Sequence, residues 1–337
     1  MIEHESLSPV RTAIAQAERA LDAGLADKAE HLLRTALNTP SSLPRRPTTT
    51  APLTEEHLQA RGTLAAVWRT QGKYRHAGLL LAVTLAAAET ATGPSSPLVA
   101  WLCNQRGVLG KYVGDFDAAE HQYFRALEIY EGVFGPEHDT VAMVCHNLGG
   151  LAHARGDAQA GEPWAARAVR IRTRLHGPGH VLTALDLAAW AALLDGCGRS
   201  EEAERCLWQA LAAFHDVHGP DHYEVAVTLH NLAALQHRGG EFGPAGRRYA
   251  DALRLKERLL GTDHPDLAPT LVNMAALSES QGETARAGAL YRRAIRLLQS
   301  RVHTMHPTLT SARAALGRLA ADSREPAAIL SKEETPR

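Results

Sequence analysis

In the stretches VAMVCHNLGGLAHARG and DAAEHQYFRALEIYEGVFG, apolar side chains recur at three- and four-residue spacing. That is the period of a helix with one buried face; a half-buried strand would alternate every second residue. The first kind of segment always runs into a glycine, at Gly72, Gly114, Gly156, Gly198, Gly240 and Gly282, each 42 residues after the last. The second kind follows that glycine and runs into another series, at Gly93, Gly135, Gly177, Gly219 and Gly261, with the same period and with His303 in the next place. Two phased markers without a slip predict one unit, copied and stacked: a helix, a tight turn and a longer helix.

Columns of the repeat separate packing from everything else. Five residues beyond the turn glycine stand Ala77, Ala119, Ala203, Ala245 and Ala287, with Gly161 in the odd copy. Seven residues further stand Ala126, Ala168, Ala210, Ala252 and Ala294. Small residues in these places let the second helix lie close against the first. The joints GPEHD, GPGHV, GPDHY and GTDHP stop the long helix and start the next, and His138, His180, His222, His264 and His306 share one column there. A histidine at every joint is read as a brace of the loop.

These columns carry a resemblance. NLGGLAHARGDAQAGEPWAARAV and NLAALQHRGGEFGPAGRRYADAL are similar to the tetratricopeptide repeat, and the 42-residue period with a G-x-x-H-P joint resembles its kinesin-light-chain type, found also in many bacterial proteins. The resemblance implies an all-α solenoid, a right-handed superhelix of about seven helix pairs plus a C-terminal capping helix. The organisation expected is a degenerate helix pair over 1–38 and a Pro/Thr-rich linker loop over 39–54. Six 42-residue units follow over 55–302, then the capping helix over 303–322 and a disordered tail over 323–337.

In the family the first helix of each pair lines the concave face. Mapped by column, the resemblance places Arg69, Trp101, Asn104, Lys111, Tyr112, His146, His153, Asp195, His230, His237 and Glu279 on a peptide- or partner-binding groove. Asn104, and His146 and His230 in its column, stand where such proteins contact the backbone of an extended peptide. Trp101 and Tyr112 are the aromatic anchors, with the alternative for Trp101 that it is tucked under the preceding repeat. A metal site built from His146, His153, Asp195, His230 and His237 is the alternative; residues seven apart on one helix stand about 10.5 Å apart along its axis, which argues against sharing an ion. Arg106 breaches a column otherwise filled by Leu64, Leu148, Trp190, Leu232 and Met274, and calls for a partner, either an acid of the adjoining helix, which is the preferred reading, or a ligand.

Composition removes several classes. Lys and Arg number 36 against 37 Asp and Glu, with no run of like charge to act as a nucleic-acid arm. The first ten residues carry acids where a signal peptide needs basic ones, and the longest apolar run, 78–88, is too short to span a bilayer. A cytoplasmic location is therefore expected, with neither membrane nor nucleic acid as partner, and few lysines among many arginines suggest a bacterial source. The four cysteines form no C-x-x-C pair, and no nucleophile elbow, P-loop or H-E-x-x-H motif is present. The function expected is a non-catalytic adaptor, not an enzyme and without a cofactor, that holds a protein or peptide segment. A metalloprotein or enzyme built on the histidines and a peptide-responsive regulator are the alternatives.

Overall fold

The computed structural model describes residues 8–37, 53–302, 304 and 306–322. Most of the linker expected over 39–54 and the whole of the tail over 323–337 lie outside the described residues. The described residues hold helices and no strand. In chain order the pairs are α1 (Pro9–Asp22) with α2 (Ala26–Ala36), α3 (Glu55–Thr70) with α4 (Tyr74–Thr92), and α5 (Pro97–Val113) with α6 (Phe116–Phe134). Next come α7 (Asp139–Arg155) with α8 (Ala158–His176), then α9 (Val181–Gly196) and α10 (Ser200–His218) in succession, and α11 (Tyr223–Arg238) with α12 (Phe242–Leu260). A 3-10 turn at Pro265–Leu267 leads into α13 (Ala268–Ser280), which pairs with α14 (Thr284–Leu298), and α15 (Pro307–Asp322) follows. The chain forms two compact units, residues 1–193 and 194–337.

The turn glycines explain why each pair folds back so tightly. Gly114 and Gly156 adopt the left-handed conformation, with φ of 86° and 80°, and their N–H groups close the last turn of α5 and α7. A Cβ resists that backbone geometry, so glycine recurs in this place. Both alanine columns are fully buried in every copy. The odd copy is explained by space: a Cβ on Gly161 would lie 2.7 Å from Leu193 and 2.8 Å from Ala152, so that interface has no room even for a methyl group.

At the joints, His138, His180, His222 and His264 each turn the ring back so that Nδ1 accepts the backbone N–H two residues on, at 3.2–3.4 Å. An unprotonated ring nitrogen thus satisfies one of the orphan donors at a helix start, the task usually given to Ser or Asp. Ser96, in the same column, does it with a hydroxyl. Three of these rings also stack on an aromatic ring one turn earlier, Phe134, His176 and His218.

Consecutive second helices are clamped by a recurring ion pair. Arg125 meets Glu89 and Arg167 meets Glu131 in the first unit, and Arg293 meets Glu257 in the second, each at 2.6 Å. Each of these arginines also donates to a joint carbonyl, of Pro94, Pro136 or Thr262. One side chain thereby fixes both the neighbouring helix and the loop that leaves it.

Candidate binding face

The first-helix face is tied together by hydrogen bonds between residues 43 apart. Asn147 Nδ2 on α7 donates to Asn104 Oδ1 on α5 at 2.8 Å; in the second unit Asn273 Nδ2 meets His230 Nε2 at 3.2 Å, and His237 Nε2 meets Ser280 Oγ at 3.2 Å. The residue 43 beyond His146 is Ala189, which offers no partner. His146 Nδ1 turns instead to Asp186 Oδ1, at 2.8 Å.

That contact opens onto a charge cluster that column mapping of the first helices does not show. Asp186 lies in a column otherwise filled by Leu102, Val144, Thr228 and Thr270, and its side chain is fully buried. Opposite it Arg172 occupies the column of Tyr130 and Phe214. Arg172 Nη1 is 3.1 Å from Asp186 Oδ1 and 3.3 Å from the Leu182 carbonyl oxygen, and its Nε is 3.3 Å from Asp139. Asp139 in turn meets His176 Nε2 at 3.0 Å. Two core positions that neighbouring copies fill with uncharged side chains hold an ion pair here, with His146 as its link to the first-helix face. In the second unit the same column holds Lys256, buried, with its Nζ 3.3 Å from Thr270 Oγ1 and 5.9 Å from the centre of the Tyr223 ring. Burial pushes its ammonium pKa down, against the pull of Asp266 and Glu224.

The expected groove residues fall into three groups. Arg69, Lys111 and Tyr112 cluster: the Arg69 guanidinium stands 5.2 Å and the Lys111 Nζ 6.0 Å from the centre of the Tyr112 ring, and Tyr74 packs against that ring at 6.0 Å. His146, His153, His230, His237 and Glu279 are half-buried or exposed on first helices. Burial, aided by Arg238, depresses the His237 pKa.

Trp101, Asn104 and Asp195 differ from an open groove surface. Trp101 lies over Gly62 of α3, its ring 2.2 Å from where a Cβ would stand, so it fills a notch left by the preceding repeat. Asn104 is only 3% exposed, its carbonyl oxygen taken by Asn147 and its amide 3.9 Å from the Met143 sulfur. Asp195 is ion-paired with Arg238 and accepts from Ser200 Oγ at 2.7 Å. Arg106 is half-buried and forms no ion pair or hydrogen bond among the described residues, so the acidic partner expected for it is absent there.

The five residues of the metal alternative do not form a shared set. Among the described residues no three His, Cys, Asp or Glu side chains are grouped so as to hold a metal ion. His146, Asp195, His230 and His237 are each engaged with a different protein partner. Cys103 and Cys145 are buried, and burial raises the Cys145 pKa to about 11, so Cys145 offers no thiolate.

Comparison with known proteins agrees with this architecture. Models of the tetratricopeptide repeat match residues 99–139, 141–182 and 187–257. The chain carries tetratricopeptide repeats, and its fold is that of a tetratricopeptide-repeat solenoid. Among solved structures it is similar to a Rap protein complexed with competence and sporulation factor, at a TM-score of 0.65 and 15% identity over 95% of this chain and 90% of that one. BtubC (BKLC) from P. vanneervenii is 22% identical over 64% of this chain and 94% of its own, with a TM-score of 0.47. A putative kinesin light chain of nearly identical repeats from Podosopora anserina is 18% identical over 63% of this chain and 99% of its own, at 0.45. No curated protein matches the sequence. Among the described residues no helix is long and apolar enough to cross a membrane.

Proposed function

We propose that this protein is a non-catalytic adaptor that holds an extended peptide or a segment of a partner protein against its first-helix face. The observation that carries this reading is the contrast between columns. The packing alanines are invariant in burial, whereas one first-helix column runs Arg69, Lys111, His153, Asp195, His237, Glu279. Packing cannot demand five different kinds of side chain at one geometric position; recognition of a chemically uneven ligand can. The solved Rap protein of the same fold is itself bound to a factor, which supports the reading by analogy of fold.

The test is affinity selection of a random-peptide library on the full chain, followed by anisotropy titration of labelled synthetic peptides. Replacing Lys111 and His153 together by Ala should weaken the selected peptides by about tenfold or more. Peptides that bind the double variant unchanged, or a library that yields no binder, would remove the groove from the account.

A further inference from the structure

The second helices differ sharply in charge. Arg286, Arg292, Arg293 and Arg296 stand on α14, which carries no acidic residue. Arg286 is held by Glu283 and Arg293 by Glu257. Arg292 and Arg296 are exposed and form no ion pair or hydrogen bond among the described residues. They stand one turn apart, a spacing at which like charges repel. Packing asks for neither of them: other copies fill the column of Arg292 with Ala82, Phe124, Ala166, Trp208 and Ala250. One turn before Arg292 comes Gly288, where α6, α8 and α10 have Glu120, Glu162 and Glu204, so its own helix offers it no acid.

On α6 the balance is reversed, with Asp117, Glu120, Glu128 and Glu131 against Arg125. Arg155 takes Asp117 and Glu120, and Arg167 takes Glu131. Glu128 is exposed and forms no ion pair or hydrogen bond among the described residues, because Arg125, one turn before it, is committed to Glu89 and the Pro94 carbonyl. Phe124, on the same face one turn from Glu128, is 43% exposed. The second unit shows how an aromatic in this column is covered. Trp208 has the Arg248 guanidinium 5.4 Å from its ring centre and donates to Glu204 at 3.2 Å. In the first unit the place of Arg248 is held by Trp164, so no cation covers Phe124 from there. Phe124 and Glu128 occupy the same two columns as Arg292 and Arg296, four repeats apart, so the two pairs match in spacing.

We infer that this face of α14 docks on α6 of a second copy of the chain, Arg292 and Arg296 meeting Phe124 and Glu128. A guanidinium stacks on an aromatic face and pairs with a carboxylate, and two helices laid side by side make both contacts at once. The two surfaces differ, so the contact is heterologous: each copy carries one of each kind, and association runs on in series unless the rotation closes a ring. Exposed ion pairs are individually weak and screened by salt, so the association depends on concentration and ionic strength. It is independent of the groove reading, whose residues lie on first helices.

The test is sedimentation velocity of the full chain. At about 50 mM salt the weight-average mass should rise with protein concentration, to about twice that of a single chain by roughly 100 µM, and fall back to one chain at about 500 mM salt. Arg292→Glu with Arg296→Glu in one variant, and Glu128→Arg in another, should each stay single with unchanged helix content, since all three positions are exposed. Phe124→Ala, which changes no charge, should weaken the association about threefold. Mixed in equal amounts, the two charge variants should associate again, because each then meets a complementary surface on the other. Wild-type protein that stays single at low salt, charge variants that associate as wild type does, or a mixture that fails to recover would overturn the inference. So would a chain that stays single and instead binds vesicles of anionic lipid through Arg292 and Arg296, which would assign the arginines to a membrane surface.

Discussion

Arg172 on α8 and Asp186 on α9 form a buried ion pair, 3.1 Å apart, in two columns that neighbouring copies fill with Tyr130 and Val144 or with Phe214 and Thr228. Breaking a buried pair costs more than the pair contributes net, because the surviving charge loses its buried counter-charge. Asp186→Asn leaves Arg172 with Asp139 and the Leu182 carbonyl as its remaining partners and should destabilise the protein by about 1.5–3 kcal/mol. The double change Arg172→Phe with Asp186→Thr copies the next repeat and should recover most of that loss. Denaturant unfolding of the single and double variants checks both; a double variant no more stable than Asp186→Asn would show that the two charges have separate roles.

Acid should weaken the fold in two distinct windows. Glu30 accepts from Trp68 Nε1 at 2.9 Å and from Lys73 Nζ at 2.8 Å; burial alone would raise its pKa, but these bonds, with Gln71, hold it at about 2. A carboxyl depressed in the folded state stabilises above its unfolded pKa and loses that stability as pH falls through the lower value. The Glu30 contribution, about 1–2 kcal/mol once solvent screening is allowed for, should fade from roughly pH 4.5 downward and be missing in Glu30→Gln. His306 is lowered by burial, so the unfolded chain takes up its proton first and stability falls as pH drops below the ordinary histidine range. His237, also lowered by burial, acts in the same window, so His306→Gln should shrink the upper window and His306→Gln with His237→Gln should flatten it, leaving the lower one unchanged in melting curves run across pH.

Trp101 sits where Gly62 leaves it room. A methyl group on Gly62 would fall 2.2 and 2.5 Å from Trp101 ring carbons and 2.9 Å from Leu102. The ring is rigid, so it cannot bend aside as a flexible chain end would. Overpacking of this kind costs about 1–3 kcal/mol, and in mid-helix glycine's backbone entropy returns less than that. Gly62→Ala should lower the melting temperature, and adding Trp101→Leu, which makes space, should restore part of it. If Gly62→Ala were stabilising, Trp101 would be free to swing out, and its reading as an open aromatic anchor would return.

Much of the fold is legible along the chain because glycine and alanine report backbone and contact directly. The turn glycines all have positive φ, and the alanine columns are all buried, so a 42-residue count locates them without a structure. The joint histidines were readable as braces for the same reason, although not as helix caps. The site is less legible. Asn104 and Asn147 occupy adjacent columns about 100° apart around a helix, and only their packing decides which faces outward and which closes the bond to the next helix. Trp101 depends on a glycine 39 positions away. Arg172, Asp186 and Lys256 do carry a signal in the sequence, a charge in a core column that the other copies fill with uncharged side chains, but which partner each charge meets depends on packing across helices.

Lys256 is the clearest case. It occupies the column of Arg172 but faces Thr270, a neutral hydroxyl, where Arg172 has Asp186. Its charge is thus buried with a hydrogen bond and the Tyr223 ring but without a contacting carboxylate. Because burial lowers its pKa, the unfolded chain binds the proton more tightly, and stability should rise with pH through the alkaline range below the ordinary lysine value. Lys256→Leu takes the residue found at Leu298 in the next copy and removes the desolvation cost. It should stabilise the second unit by about 1–4 kcal/mol and abolish the alkaline rise. Thermal unfolding at pH 7 and pH 9.5 measures both effects in one series. A variant less stable at neutral pH, with the alkaline rise intact, would mean that the ammonium is matched by Asp266 and Glu224 through the interior and that the cation is a structural element of this repeat.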